Sequence, residues 1–436
     1  MLSIIGLLTI VAIVTLLITR KLNPIVALVI IPFIGALVAG FGLGEITEFF
    51  NEGINSVINV VIMFVFAILF FGVMSDAGLF NPIISRMVRL SRGNVILIAI
   101  STVIIGAIAH LDGSGASTFL ITIPALLPLY KKLNMSPYLL VMLIGISASI
   151  MNMVPWGGPL GRTAAVLGED PSALWQPLIP LQIVSLIMLI AAAAFIGYLE
   201  KRRLSRNNLL ITDANIDFEE LQADENGEQS DLRRPKLLWF NLIITLAVIA
   251  VLMSGLLSAG LVFMLALSIA LPINYRNMDD QMGRIRAHAP SALMMAAIIL
   301  AAGSFLGILE NSGMLEALAE DIVYILPAFV VPYLHYIIGI FGAPLELVFN
   351  TDAYYFAMLP VVDEIVSGYG VDSITTAYSM MIGNIIGTFI SPFSPALWLA
   401  VGLAGIDMGR YIKYAIFWVW GFSLLVMLAA YLLGII

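Results

Sequence analysis

VILIAISTVIIGAIAHLDGSGASTFLITIPALLPLY, residues 95–130, is apolar at both ends and polar and glycine-rich in the middle. Basic residues bound it on both sides, with Arg86, Arg89 and Arg92 before it and Lys131 and Lys132 after it. Translocated loops are depleted of Lys and Arg, so both ends belong on the cytoplasmic face of a membrane. Two spans of about 15 residues joined by an outer aqueous loop would satisfy that placement, as would a re-entrant hairpin. The hairpin is the preferred reading, because irregular backbone at membrane depth is tolerated where it lines a protein cavity.

Composition sets the class. At 61% hydrophobic and 11% charged residues, a chain of 436 residues has too little polar surface to cover a soluble globule. The apolar runs are about 17 to 25 residues long, the length of a membrane-crossing helix, and no ten-residue alternating pattern suggests a barrel. Residues 3–19 carry no small-residue cleavage site at their end and read as a retained first span. The absence of Cys excludes disulfides and thiolate metal sites. The net charge of -8 sits mostly in acidic loops and one linker, and no basic surface suggests nucleic acid.

Nineteen of the twenty Lys and Arg residues fall in six short stretches between apolar segments, and Arg162 is the exception. With those stretches in the cytoplasm, both termini are expected outside, in a multi-pass protein of the cell membrane. The expected fold is all-α: a first repeat over 1–199, a cytoplasmic linker over 200–236 and a second repeat over 237–436. The first comprises scaffold helices over 1–76, the hairpin at 95–130, a broken helix at 137–166 and a helix at 173–199. The second holds a hairpin at 322–366, a broken helix at 372–404 and a last helix at 411–434. The linker, including ANIDFEELQADENGEQ, is too polar to pack a domain.

The repeat is legible in three blocks. FFGVMSDAGLF from Phe70 recurs as FLGILENSGML from Phe305, STFLITIP ending at Pro124 as AYYFAMLP ending at Pro360, and MLIG ending at Gly145 as MMIG ending at Gly383. The offsets are 235, 236 and 238 residues. Corresponding loops carry opposite charge: Lys131 and Lys132 answer to Asp363 and Glu364. The repeats are therefore inverted, the architecture of secondary transporters whose site lies near the midplane, although a channel could share it.

The candidate site follows from the breaks. The hairpin tips are Asp112, Gly113, Ser114 and Gly115 in the first half and Asn350, Thr351 and Asp352 in the second, with Ser114, Asn350 and Thr351 available as helix N-caps. Helix N-termini inside a membrane seat carboxylates, whereas small residues at such places also serve simple close packing. Asp112 and Asp352 repel an anion unless a proton or cation intervenes, and membrane carboxylates mark ion paths. The broken helices are NMVPWGGPLGR, with Asn152, Pro155, Gly157, Gly158 and Arg162, and GTFISPFSP, with Ser391 and Ser394. Arg162 suits either a substrate carboxylate or an ion pair with Asp352, Glu346 or an outer-loop acid. His110 suits a proton relay or a satisfied buried histidine.

At HLDGSGASTFLITIPALLPLYKKL, MNMVPWGGPLGR, FAILFFGVMSDAGLF and TDAYYFAMLP the chain resembles the CitMHS family of citrate-metal proton symporters, within the ion transporter superfamily. The resemblance implies an elevator-type fold, a homodimer, and proton-coupled uptake of citrate. It implies no permanently bound cofactor: a divalent metal of the Mg or Ca class would travel in the substrate complex. It carries over to Asp112, Gly113, Asn152, Pro155, Trp156, Gly157, Gly158, Arg162, Asp352, Tyr354 and Tyr355. The family pattern has a second acidic residue where Ser114 stands, which leaves room for free citrate or another carboxylate. ISPFSP is also looser than the family form.

Two rivals come from other classes. A proton/cation antiporter would use the intramembrane aspartates but has no need of Arg162. An intramembrane aspartyl protease would need glycine-flanked aspartates, which LDGSG and NTDAY do not provide, and no HExxH or Walker glycine loop is present.

Overall fold

A computed structural model describes residues 1–19, 21–80, 82, 86–87, 93–210 and 232–436. Arg20, Arg89, Arg92 and the linker stretch 211–231 lie outside the described residues. Every regular element described is helical.

The chain begins with α1 (Leu2–Ile18), α2 (Pro24–Ala39) and α3 (Leu43–Asp76). Asn23 caps α2 by accepting the Val26 N–H at 2.9 Å, ahead of Pro24, whose missing N–H costs nothing there. Next come α4 (Val95–Ala109), a one-turn 3-10 segment at His110–Asp112 and α5 (Gly115–Lys132). Then follow α6 (Pro137–Met151), α7 (Gly158–Leu167), the short α8 (Pro171–Trp175) and α9 (Ile179–Arg206). The second half runs α10 (Leu238–Ser254), α11 (Ala259–Asn274), α12 (Met278–Asn311) and α13 (Met314–Ile325). It continues with α14 (Leu334–Ile340), α15 (Gly342–Leu345), a π-helical stretch Ala353–Met358 and α16 (Leu359–Ser367). It closes with α17 (Ser373–Ile385), α18 (Pro395–Ala404) and α19 (Met408–Leu432).

The frame is set by α3 and α12, each 34 residues long. They run antiparallel, since Gly53 meets Gly303 and Gly307, Gly72 meets His288, and Asp76 accepts from Arg284 Nη1 at 3.3 Å and His288 Nε2 at 2.8 Å. A Cβ on Gly53 would fall on the backbone of Gly303 and Gly307. In a bilayer no hydrophobic drive separates helix from lipid, so such backbone approach and interhelical hydrogen bonds hold the bundle. Asn241 and Asn274 supply one of the latter, exchanging amide hydrogen bonds at 2.8 Å between α10 and α11. Six helices are long and apolar enough to cross a membrane, counted among the described residues.

Residues 95–130 form the hairpin. Its arms α4 and α5 lie side by side, closed away from the tip by a 2.8 Å hydrogen bond between the Thr102 and Tyr130 hydroxyls. The second hairpin starts later than residue 322. Met314–Ile325 is a separate helix that buries Leu315, Leu318 and Ala319 and exposes Glu316 and Glu320. Pro327 and Pro332 interrupt the chain after it, and the incoming arm begins at Val331 and kinks at Phe341. The helix placed at 173–199 extends to Arg206, so the linker begins beyond 200, and the last helix spans Met408–Leu432. Two charged poles result. Arg203 Nη2 donates to Asn134 O at 3.0 Å and Arg234 N to Ala77 O at 2.9 Å at one, while Glu310 lies within electrostatic range of Asp363 and Glu364 at the other.

Candidate functional site

Two tips and two breaks meet in this bundle. At the first tip the chain turns through Gly113, whose φ of 72° is left-handed and whose Cβ, if present, would press on Trp156 O at 2.9 Å. Asp112 holds the turn together: Oδ1 accepts the Ser114 N–H at 2.9 Å and Oδ2 accepts the Ser117 hydroxyl. Ser114 is the N-cap of α5, accepting the Ser117 N–H at a long 3.4 Å. Gly113, Ser114 and Gly115 stay partly exposed, whereas Asp112 is buried.

The first broken helix stops at Met151 and restarts at Gly158, with Gly157 as an extended N-cap and Pro155 inside the gap. Pro155 removes one N–H and turns the chain, and Asn152 through Gly157 are all buried. This break grips the first tip. Asn152 Oδ1 lies 2.9 Å from His110 Nε2, and Trp156 Nε1 donates to Leu111 O at 2.8 Å. His110 Nδ1 pairs with Thr118 Oγ1 at 2.7 Å, so both ring nitrogens have neutral hydrogen-bond partners.

At the second tip Asn350 accepts the Ala353 N–H at 2.8 Å, and Thr351 and Asp352 form the first turn of the outgoing arm. Asp352 is bound across the repeats: Arg162 Nε donates to Asp352 Oδ1 at 2.8 Å, with both side chains nearly buried. Arg162 Nη1 donates to Gly158 O at 3.1 Å, and the guanidinium stands 6.0 Å from the Phe356 ring centroid. Nη2 makes no bond to the described residues. The second break covers residues 386–394, with Ser391 buried and Ser394 the N-cap of α18.

Each tip therefore seats on the broken helix of the other repeat. Gly115 lies against Phe389 and Ala396, and the His110 and Phe119 rings stand edge-on to Phe389. Reciprocally, α7 packs against α17 and against the π-helical arm after the second tip. Glu346, Asn384, Ser117 and Thr118 are polar members of this region outside the expected set. Glu346 was findable as an acid within the apolar run GAPLELVF; the other three carried no signal, because Ser, Thr and Asn are common in packed membrane helices. Among the described residues no group of three His, Asp or Glu side chains could hold a metal by itself. Two large clefts lie elsewhere, about 830 Å³ beside Arg233, Lys236 and Arg276 and about 940 Å³ beside Arg202, Arg203 and Arg206.

Comparisons with known proteins agree with this architecture. The chain is 36% identical over its full length to a citrate transporter of Bacillus subtilis strain 168, all of which it covers. It is 35% identical to the Mg(2+)/citrate complex secondary transporter of the same organism, over 96% of this chain and 95% of that one. The solved YdaH transporter of Alcanivorax borkumensis has a TM-score of 0.60 at 16% identity, over 90% of this chain and 89% of that one. MtrF of Neisseria gonorrhoeae, from a class of antimetabolite efflux pumps, has a TM-score of 0.59 at 13% identity, over 90% and 84%. These likenesses show an all-helical fold shared with those two transporters, and they fix no substrate. The family describes transporters and not enzymes, which removes the protease reading. With the citrate transporter family matching residues 10–383, the chain belongs to CitMHS.

Proposed function

We propose that the protein imports citrate by proton-coupled symport, carrying it as a complex with a divalent metal. The observation that carries this reading is Arg162: a buried cation bound to Asp352 through Nε, with Nη2 bonded to none of the described residues and able to take a substrate carboxylate. The tip helices at Gly115 and Thr351 add N-terminal dipole ends favourable to anions. Asp112 supports the metal, because its oxygens each accept one hydrogen bond and keep lone pairs for a cation. Citrate oxygens would complete the shell of a Mg or Ca class ion, and the metal is cargo in this scheme. A relative of 35% identity is named for Mg(2+)/citrate transport.

Transport in this proposal proceeds by an elevator movement of the hairpins and broken helices against the frame containing α3 and α12, in a homodimer of the cell membrane with both termini outside. Ser114, standing where the family pattern has an acid, favours a second reading, symport of citrate or another di- or tricarboxylate without metal. A proton/cation antiporter is disfavoured by Arg162.

Uptake of labelled citrate into proteoliposomes with an inward proton gradient, comparing Mg²⁺, Ca²⁺, Zn²⁺ and EDTA, tests both. Uptake requiring gradient and metal is expected. Uptake undiminished by EDTA would move the conclusion to the free carboxylate, and uptake indifferent to the gradient would remove proton coupling.

A further inference from the structure

Three buried acids stand near the tips, and two of them are satisfied. Asp112 is held by Ser114 and Ser117, and Asp352 by Arg162. Glu346, between α15 and the second tip, is fully buried, and neither carboxyl oxygen completes a hydrogen bond. The Asn384 amide and the Ser391 hydroxyl face it. Asn384 Nδ2 donates to Gly342 O at 3.1 Å, which orients the amide and leaves Oδ1 a second buried acceptor without a donor. The Tyr355 hydroxyl is also buried without a partner. The charged and titratable groups facing Glu346 are Arg162, Asp352, Tyr354 and Tyr355.

The Glu346 oxygens complete no hydrogen bond that would hold a negative charge, and protonation removes that charge. A bare carboxylate there is expensive in a water-poor interior.

We infer that Glu346 carries the coupled proton, an inference that rests on the symport reading above. The proton passes from water to a Glu346 oxygen, neutralising the buried carboxylate, and returns to water on the far side. Coupling follows from Arg162. Its positive charge favours ionised Glu346, and a substrate carboxylate seated on Nη2, which bonds to none of the described residues, adds negative charge beside the Arg162–Asp352 pair, so substrate and proton bind together and leave together.

Proteoliposomes holding the full chain, with labelled citrate and Mg²⁺, test this with wild type, Glu346→Gln and Glu346→Asp. Wild type should accumulate citrate about tenfold per pH unit for each proton carried. Wild type that ignores the gradient defeats the symport reading itself, whatever Glu346 does. Given a responsive wild type, Glu346→Gln should still exchange internal for external citrate, with no accumulation and a rate flat across about two pH units. Glu346→Asp should accumulate, with its pH profile displaced. The inference is overturned if Glu346→Gln accumulates citrate, if its exchange keeps the wild-type pH profile, or if it loses a response to a Na⁺ gradient in place of one to protons. Should Glu346→Gln fail to reconstitute, an unaltered pH profile in Glu346→Asp overturns it equally.

Discussion

The first hairpin tip uses its carboxylate within itself, while the second commits its carboxylate to the other repeat. Asp112 bonds to Ser114 and Ser117 a few residues away; Asp352 bonds to Arg162, which is 190 residues distant in sequence. The N-caps Ser114 and Asn350 correspond at the repeat offset of 236, but the acids do not: by the same offset Asp352 falls on Ala116 and Asp112 on Val348. The two tips thus share the position of their N-caps and differ in where their carboxylates stand. The first tip's carboxylate keeps its partners wherever the tip goes, whereas a carboxylate tied to Arg162 must exchange that partner or travel with it.

The most severe break in this contrast is Arg162→Ala. It leaves Asp352 buried and unpaired, a loss of about 3–5 kcal/mol in stability by thermal melting, and it should abolish citrate uptake. Adding Asp352→Asn should restore the melting temperature without restoring uptake, because the anion contact stays absent. Asp112→Asn comes next. It weakens two local hydrogen bonds and should lower the melt by about 1–3 kcal/mol, with the metal dependence of uptake reduced or lost. The N-caps separate the tips more finely: Asn350→Ala, which breaks a 2.8 Å cap, should cost about 1 kcal/mol, and Ser114→Ala, which breaks one of 3.4 Å, clearly less in the same assay. Trp156→Phe falls in the same range as Asn350→Ala, about 0.5–1.5 kcal/mol for the lost bond to Leu111 O; a much larger drop would mean that the first tip depends on its break as strongly as the second does on Arg162.

Much of this frame was readable from the sequence because hydropathy, charge asymmetry and proline-glycine breaks are local signals. Opposed charges at Lys131 and Lys132 against Asp363 and Glu364 gave the inversion, and Asp112, Pro155 and Asn350 marked the breaks. What was hidden was partnership. Arg162 was equally compatible with Asp352, Glu346 or an outer acid until folding brought one of them within 2.8 Å. Only the end of Met314–Ile325, residues 322–325, was assigned to the second hairpin, because an apolar helix end beside an arm has the same apolar content as the arm. The π-helical turn at Ala353–Met358 left no compositional trace, since its wide turns use the same buried residues as an α-helix.

The two 34-residue helices have a consequence for the lipid around them. At about 1.5 Å per residue each is about 51 Å long, against a hydrocarbon layer of about 30 Å. Their charged N-terminal turns, with Glu45 and Glu48 on α3 and Asp279 and Asp280 on α12, lie at opposite ends of the antiparallel pair, so each beam overshoots a different leaflet. Because the two touch from Gly53 against Gly303 and Gly307 to Asp76 against Arg284, a tilt that fits one to the bilayer has to be shared by the other.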